Sequence, residues 1–255
     1  MGALPRYQEI AGELRAAIYR GEYQPGDNLP QRVDLMNRYG VSKETVSKVY
    51  RVLEAEGLVQ ATRKSGTRVR RHPERLQLTR ERTAYRDEIG YFFDLSAQHW
   101  RALGPVEINR APAPGEIARL LDISPGTEVV IRDRVMGDPD TGRVFQLTAS
   151  YLPADLVDEL PVLESVDTGP GGIYDRIEEA GHGPLTWYER LSARAATARE
   201  VKLLALAPGV PVQRIVRTST DPRGKVCEIN AISLSAELHE IGYPIERHPS
   251  ARPST

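Results

Sequence analysis

The sequence predicts an α+β chain in which a small helical domain with a basic hairpin is joined to a larger α/β domain built on an antiparallel sheet. Three observations lead to this prediction: helical hydrophobic spacing near the N terminus, an internal repeat of hairpin-like segments further along, and a charge balance that changes sign between the two regions. The chain has 255 residues, enough for one large domain or two smaller ones.

The formal net charge of -1 conceals the change of sign. Residues 1–80 contain 15 Lys and Arg against 9 Asp and Glu, a balance of +6, and the remainder contains 19 against 26, a balance of -7. A basic N-terminal third indicates a module that binds a polyanion, joined to a domain of a different kind. Chance clustering of charged residues is the alternative.

Cysteine usage and hydropathy indicate where the protein works. A single cysteine, Cys227, excludes an intrachain disulfide and is typical of a reducing compartment. No apolar run approaches the roughly 18 residues that span a bilayer, and the N terminus lacks the pattern of a signal peptide. We therefore expect a cytoplasmic protein with no membrane segment.

The N-terminal region predicts two helices separated by a turn. In the first, helical spacing places four apolar residues on one face: Ile10, Leu14, Ala17 and Ile18. Gly21 is a suitable C-cap residue for this helix. The segment QPGDNLP has the composition of a tight turn. The second helix is predicted over QRVDLMNRYG, with Gly40 at its end.

A third helix is predicted between Ser42, whose hydroxyl suits the N-cap position, and Gly57. Its apolar stripe is Val46, Tyr50 and Leu53, and its other face is polar. The following LVQATRKSGTRVRR predicts two short strands around a turn at Ser65–Gly66. Five of the twelve residues from Gln60 to Arg71 are basic: Arg63, Lys64, Arg68, Arg70 and Arg71.

Three short helices followed by a basic hairpin are typical of a winged helix-turn-helix. In such a domain the N terminus of one helix enters the major groove of DNA, where its first side chains meet base edges. The hairpin, or wing, meets the phosphates with Lys and Arg, and Gly66 at its tip allows a close backbone approach. We therefore predict a DNA-binding domain over residues 1–71.

The segment LPQRVDLMNRYGVSKETVSKVYRVLEAEGLV, followed by SGTRV, resembles the DNA-binding domain of the GntR family of bacterial repressors over about residues 5–71. The resemblance implies primary DNA contacts at Lys43, Thr45 and Gly66. It implies a second group of contacts at Arg32, Ser42, Glu44, Lys48, Thr67 and Arg68.

Three arginines of the family pattern are replaced in this sequence. One would fall at Val33, with Arg32 just before it, and the others are Lys43 and Ser47. Lysine still reaches a phosphate or a guanine but lacks the bidentate fork of arginine. The departures therefore imply a base preference that differs from the usual operator of the family.

The remainder of the chain divides into three predicted parts. Residues 72–89 are charged and weakly periodic and are predicted as a linker. Residues 90–245 alternate strand-like runs with short helices and turns and are predicted as the second domain. Residues 246–255 are predicted as a disordered tail.

The second domain repeats itself. LLDISPGTEVVIRDRVMGDPDTGRVFQLT starts at Leu120 and LLALAPGVPVQRIVRTSTDPRGKVCEIN at Leu203, an offset of 83 residues that falls by one in the hairpin turn. The register aligns Arg134 with Arg217, and it sets Glu228 opposite Gln146. We predict two like halves related by a pseudo-two-fold axis and sharing one antiparallel sheet. Coincidence of common helix and hairpin signals is the alternative.

The segments TEVVIRDRV, ASYLP and the Glu228 region resemble the UTRA effector-binding domain of the HutC branch of GntR regulators, over roughly residues 84–244. The resemblance implies a chorismate-lyase-like fold and a pocket in which Arg132 and Arg134 bind an anionic group. Alternate strand residues share a face, and paired guanidiniums suit phosphate, phosphonate or carboxylate. Pairing of both arginines with acidic residues across the sheet is the alternative.

Further pocket residues follow from the same resemblance. Thr148 stands where the family often has Glu, Glu228 matches another acidic position, and Ser96 lies in a segment that closes on the ligand. Tyr151 lines the pocket or only packs. Because Thr148 replaces the Glu and the C-terminal pattern differs, the resemblance implies an effector other than the common amino-sugar phosphate.

These observations predict a homodimeric transcriptional regulator, a repressor, that binds a near-palindromic operator and a small anionic effector. No catalytic residues, metal ligands or cofactors are predicted, because the five histidines show no metal-ligand spacing and Cys227 suits a core position. Two alternatives stay open at this point. One is a chorismate-lyase-like enzyme with a DNA-binding head, and the other is a GntR regulator with an all-helical, metal-binding effector domain.

Overall fold

A computed structural model of the chain describes residues 4–62, 66–71, 73–248 and 250. The chain forms two compact units. One consists of Met1–Glu74 with Leu206–Val210, and the other of Arg75–Ala205 with Pro211–Thr255.

Three helices and a two-stranded hairpin form the N-terminal unit, as the sequence predicts. They are α1 Arg6–Tyr19, α2 Arg32–Tyr39, α3 Lys43–Ala55, β1 Val59–Thr62 and β2 Gly66–Val69. The predicted stripe of α3 is buried, and it packs with Ile10 and Leu14 of α1 in one apolar core. This core fixes the orientation of α3, so the other face of the helix is left to solvent.

Both ends of the α2–α3 connection carry the expected local signals. Gly40 ends α2 with a left-handed backbone conformation, φ 61°, which glycine adopts without steric cost. Ser42 then caps α3, since its hydroxyl oxygen accepts a hydrogen bond from the backbone N–H of Thr45 at 3.3 Å. The turn between the helices is therefore determined by local chemistry.

The hairpin of β1 and β2 is antiparallel, with Val59 opposite Val69 and Thr62 opposite Gly66. Strand β2 is also tied to the turn after α1, because the N–H of Leu29 donates to the carbonyl of Thr67 at 2.8 Å. Three residues of the predicted wing lie outside the described residues: Arg63, Lys64 and Ser65.

The second unit is built on a seven-stranded antiparallel sheet flanked by short helices. Its elements in chain order are β3 Leu76–Thr79, β4 Tyr85–Arg86, β5 Tyr91–Phe92, β6 Arg101–Ala102, β7 Glu107–Pro112, α4 Gly115–Leu121, β8 Glu128–Gly137, β9 Val144–Pro153, α5 Ala154–Glu159, α6 Gly172–Ile177, β10 Thr186–Arg194, α7 Ala198–Leu203, β11 Val212–Thr220, β12 Val226–Ser235 and β13 His239–Gly242. The sheet order is β10-β11-β12-β9-β8-β6, and β7 also pairs with β8. These strands exclude an all-helical effector domain.

The predicted duplication is confirmed by the sheet. One half consists of β7, α4, β8 and β9, and the other of β10, α7, β11 and β12. The halves meet where β9 pairs antiparallel with β12, with Ser150 opposite Asn230 and Thr148 opposite Ile232. The sheet is therefore arranged about a pseudo-two-fold axis that passes between β9 and β12.

The segment predicted as a linker, 72–89, differs from the prediction. It contains β3, which pairs in parallel with β13, and β4, which pairs with β5. Leu78 of β3 is buried against Ile215 and Ile232. Strand β3 was not recognisable from the sequence, because the segment is highly charged, its apolar residues are few and their partners are distant in the chain. In the predicted tail, Pro249 and residues 251–255 lie outside the described residues.

Candidate DNA-binding surface and effector pocket

The outward face of α3 carries the predicted DNA-contact residues. Lys43, Glu44 and Lys48 are exposed, and Thr45 is half-buried. The capping bond of Ser42 to Thr45 occupies the hydroxyl of Ser42. The first turn of the helix therefore presents a lysine, a carboxylate and a hydroxyl to solvent, a set that suits base edges and phosphates.

Arg32, at the start of α2, also reaches this face. Its Nη1 lies 3.4 Å from the hydroxyl oxygen of Ser47, and that hydroxyl donates to the carbonyl of Lys43 at 2.9 Å. The guanidinium thus lies beside Ser47, where the family pattern has an arginine. Val33, where the pattern has another, is an exposed apolar side chain.

The wing residues divide into exposed and anchored groups. Gly66 has φ +85° and open space around the position of a side chain, so it is free to approach a partner closely. Thr67 and Arg68 are half-buried, and Nε of Arg68 donates to the side-chain oxygen of Asn28 at 3.0 Å. Arg70 is buried and does not extend the basic surface that the sequence suggested.

The second unit contains a cavity of about 230 Å³ over one face of its sheet. Three pairs of residues related by the internal repeat line it: Arg134 with Arg217, Gln146 with Glu228, and Thr148 with Asn230. Because each pair brings one residue from each half, the cavity lies across the pseudo-two-fold axis. The predicted pocket residues Arg134, Thr148 and Glu228 therefore meet in one place.

The two repeat-related arginines have different surroundings. Arg134 donates from Nη2 to the hydroxyl of Ser150 at 2.8 Å, and its buried Nε has no hydrogen-bond partner among the residues that the structure describes. Arg217 donates to Oε1 of Glu189 from Nε at 2.9 Å and from Nη2 at 2.6 Å. Its guanidinium carbon also lies 3.4 Å from the ring centre of Phe93.

A third arginine approaches the same carboxylate. Nη1 of Arg80 lies 3.7 Å from Oε1 of Glu189, and it donates to the carbonyl of Phe93 at 3.3 Å. Burial lowers the pKa of Arg80, and Glu189 only partly offsets this effect. Glu189 is therefore shared by Arg80 and Arg217, so one carboxylate faces two guanidiniums at this end of the cavity.

Glu228 forms the floor of the cavity and is fully buried. Its Oε2 accepts from the hydroxyl of Tyr174 at 2.5 Å and from that of Ser219 at 3.0 Å, and its Oε1 accepts from the side-chain amide of Asn230 at 3.3 Å. Burial, followed by the charge of Glu228, raises the pKa of Tyr174 above its ordinary value. This carboxylate is thus stabilised by three protein donors.

Glu228 also determines the orientation of Asn230. A carboxylate only accepts, so the amide nitrogen of Asn230 faces Glu228, and the amide oxygen faces away. That oxygen, Oδ1, is buried and without a hydrogen-bond partner within the described part of the chain. The side chains of Gln146 and Asn230, which both line the cavity, therefore offer hydrogen-bond donors and acceptors to a ligand.

Arg132 is a correction to the predicted pocket. Its side chain is buried, and it does not line the cavity. Nη1 donates at 2.6 Å to the carbonyls of both Leu163 and Ser165, which lie in and just after the short 3-10 turn Pro161–Glu164 that follows α5. Burial, followed by the charge of Arg134, lowers the pKa of Arg132 to about 10. Its Nη1 and Nη2 are used by backbone carbonyls, because the chain after α5 folds over this end of the strand, whereas its buried Nε has no hydrogen-bond partner among the described residues.

Tyr151 and Ser96 also lie away from the cavity lining. Tyr151 is on the other face of β9, where it packs with α4, because successive strand residues point to opposite faces. Ser96 is exposed, and its hydroxyl donates to Oδ1 of Asp94 at 2.5 Å. Asp94, not Ser96, faces the cavity from this segment.

Sequence reasoning missed Arg217, Asn230 and Arg80 as cavity residues. The repeat carried the signal for the first two, because Arg217 is the counterpart of Arg134 and Asn230 that of Thr148. No comparable signal marked Arg80, which follows β3 in the segment predicted as a linker.

A winged helix-turn-helix with an exposed polar helix face, in one chain with a domain that holds a small polar cavity, defines a DNA-binding regulator with an effector domain. The model of the family "Bacterial regulatory proteins, gntR family" matches residues 6–69, and that of the UTRA domain matches residues 106–237. The chain belongs to the GntR family and is a transcriptional regulator with a UTRA effector-binding domain.

Several relatives match along most of their length. An HTH-type transcriptional regulator of Streptomyces coelicolor is 33% identical over 88% of this chain and 86% of its own. The HTH-type transcriptional repressor NagR of Bacillus subtilis is 25% identical over 88% of each chain. A crystal structure of a GntR-family transcriptional regulator has a TM-score of 0.69 and 30% identity, covering 96% of this chain and 98% of its own.

Within the described residues, none of the helices combines the length and the apolar character needed to cross a membrane.

Proposed function

We propose that this chain is a homodimeric repressor of the HutC branch that binds a near-palindromic operator and releases or retains it according to a small anionic effector. In the dimer each subunit places one winged helix on a half-site, so the symmetry of the operator reflects that of the protein. The single observation that carries the proposal is the exposed polar first turn of α3, beginning at Lys43, above a fully apolar inner stripe.

The primary DNA contacts in this proposal are Lys43, Thr45 and Gly66. Arg32 joins them because its guanidinium lies beside Ser47, the position where the family pattern has an arginine, and can form the bidentate contacts that Ser47 cannot. Glu44 and Lys48 flank them on α3. Ser42 acts through its cap, and Thr67 and Arg68 act through the wing, which Asn28 steadies by its bond to Arg68.

The effector binds in the cavity that spans the two repeat halves, with its anionic group on Arg134. Arg217 is the weaker candidate for that role, since its Nε and Nη2 already donate to Glu189. The bond of Arg134 to Ser150 leaves the rest of its guanidinium fork for a ligand. Gln146, Thr148 and Asn230 then provide hydrogen bonds to the neutral part of the effector.

Effector binding changes operator affinity because the two events are linked through the same chain. A coupling of this kind is typically about 1–3 kcal/mol, which corresponds to a change of about 5- to 150-fold in affinity. The pocket binds its ligand without converting it. The alternative enzyme, with a chorismate-lyase-like activity, would form product when candidate acids are incubated with the protein, and that assay separates the two.

The experiment that tests the proposal is binding to DNA from upstream of the gene of this chain, measured against random competitor DNA across a salt series. Tight, competitor-resistant binding with a steep salt slope supports a specific operator-binding protein. Equal and weak binding to both DNAs would contradict recognition of this site. Sedimentation of the protein–DNA complex then tests whether two chains occupy one operator.

A further inference from the structure

His182, Asp221 and Cys227 converge at a place that neither the cavity nor the DNA-binding surface uses. His182 ends the turn Glu178–His182 that follows α6, Asp221 begins the turn between β11 and β12, and Cys227 is in β12. All three residues are buried. One imidazole nitrogen, one carboxylate oxygen and Sγ all lie within 4.8 Å of one another.

Asp221 is held in a fixed orientation by the hairpin turn. Its Oδ1 accepts the backbone N–H of Arg223 at 2.9 Å and that of Lys225 at 2.8 Å. Burial opposes ionisation of Asp221, but these backbone bonds and His182 outweigh it and hold the pKa of the carboxyl below its usual value. Oδ2 therefore faces inward as an anion, 3.6 Å from Nδ1 of His182.

His182 is oriented from its other side. Its Nε2 lies 3.4 Å from Oε1 of Glu159 at the end of α5. A proton on Nε2 leaves the lone pair on Nδ1, which is buried and has no hydrogen-bond partner among the residues described. A carboxylate that orients an imidazole in this way is the usual outer partner of a metal-binding histidine.

We propose that His182, Asp221 and Cys227 bind a divalent transition-metal ion of the zinc type through Nδ1, Oδ2 and Sγ. Imidazole, carboxylate and thiolate together form a ligand set that zinc accepts, with water at the fourth position. Around tetrahedral zinc the ligand atoms are about 3.4 Å apart, as follows from bonds of about 2.0–2.3 Å. Nδ1 of His182 and Oδ2 of Asp221 are already 3.6 Å apart, and no pair of the three ligand atoms is separated by more than 4.8 Å.

Charge balance supports a divalent ion at this site. Metal binding replaces the proton of the Cys227 thiol, which is released to solvent, and the metal then carries one thiolate and the carboxylate of Asp221. A divalent ion with two anionic ligands is neutral overall, which suits a buried position. The ammonium group of the nearby Lys225 is directed to Asp155, with Nζ 2.8 Å from Oδ2.

The position of the site indicates what the metal does. It joins the turn after α6 to the hairpin of β11 and β12. Helix α6 carries Tyr174 and β12 carries Glu228, which are hydrogen-bonded to each other at the floor of the cavity. A bound metal would therefore stabilise the segments that form this floor, and it would raise the melting temperature of the effector domain.

The test uses the full chain, stripped with a chelator and titrated with Co²⁺. Cys227 is the only cysteine in the sequence, so a cobalt–thiolate charge-transfer band in the near ultraviolet reports on this site alone. We expect the band to saturate at one equivalent and to disappear when Zn²⁺ displaces Co²⁺. Absence of the band in the wild-type protein would overturn the proposal. This result does not depend on the folding of any variant.

Two variants and a control assign the ligands. Cys227→Ser is expected to abolish the band, and His182→Gln to weaken Co²⁺ binding by about tenfold or more. The matched control is His99→Gln, an exposed histidine of the same unit, which should bind Co²⁺ as the wild type does. Unchanged binding in His182→Gln would contradict the site, as would an NMR spectrum that shows a proton on Nδ1 of His182 while the metal is bound.

Discussion

Arg134 donates to the hydroxyl of Ser150, whereas its repeat counterpart Arg217 donates twice to the carboxylate of Glu189. The two residues stand at equivalent points of a pseudo-symmetric sheet, yet Arg217 is hydrogen-bonded to an anion and Arg134 to a neutral hydroxyl. This asymmetry gives the cavity a direction, because an anionic ligand gains most next to Arg134, whose guanidinium donates to a neutral group.

Arg134→Ala is expected to abolish the response of the protein to its effector while leaving operator binding intact. The reason is that Arg134 belongs to the cavity and its guanidinium is the proposed anion contact. The measurement is the operator affinity with and without effector. Lys202→Ala, which removes an exposed positive charge from α7, is the control and should respond as the wild type does. A full response in Arg134→Ala would remove this residue from the pocket.

Arg132→Ala should lower the free energy of unfolding, whatever its effect on the response to the effector. Its guanidinium donates to the carbonyls of the buried Leu163 and of Ser165, and both carbonyls would lose these donors. We expect the free energy of unfolding to fall by about 2–4 kcal/mol, against less than about 1 kcal/mol for Arg134→Ala. Urea unfolding of both variants checks this, and equal losses would contradict the distinction between the two arginines.

Lys43→Ala should weaken operator binding by about 1–3 kcal/mol if the lysine contacts a base, and the loss should depend on one base position. A phosphate contact would instead weaken binding to all sequences and reduce the salt slope by about 1. Binding of the variant to operator and to random DNA across a salt series separates these cases. Unchanged affinity for both DNAs would exclude Lys43 as a contact.

Tyr174→Phe should destabilise the effector domain by about 1–3 kcal/mol, because the buried carboxylate of Glu228 loses one of its three protein donors. Tyr188→Phe is a suitable control, since the side chain of Tyr188 is exposed on β10. Denaturant unfolding measures both variants. An equal effect in the two would show that the hydroxyl of Tyr174 does not support Glu228.

His239 is expected to make stability depend on pH. It is buried beside Trp100, its Nδ1 lies 3.2 Å from the carbonyl of Ser235, and burial lowers its pKa from 6.5 to about 4. The unfolded chain therefore binds the proton first as pH falls. The free energy of unfolding should drop between about pH 6.5 and pH 4, by at most about 3 kcal/mol, and this contribution is fully present above pH 6.5.

The variant His239→Gln removes this titration, so its stability should change less than that of the wild type between pH 7 and pH 4.5. Urea unfolding at the two pH values gives the comparison. A parallel decline in both proteins would assign the pH dependence to other groups.

Local signals determined much of this protein from its sequence. The cap of Ser42, the stripe of Val46, Tyr50 and Leu53, and the left-handed Gly40 each act within a few residues, so α3 and its turn were predictable. The repeat was also recognisable from the sequence, because aligning the two copies of the hairpin shows which residues correspond. Arg134 and Glu228 followed from that register and from the family resemblance.

Only the tertiary structure determined the contacts of residues whose partners are distant in the chain. Arg132 and Arg134 have the same type and the same strand face, but the segment after α5 covers one and leaves the other at the cavity. β3 was hidden in a charged stretch because its partner, β13, lies about 160 residues further along. His182, Asp221 and Cys227 show no ligand spacing, and only the packing of a turn against a hairpin brings them together. Periodicity reports which way a side chain points, whereas what it meets depends on long-range packing.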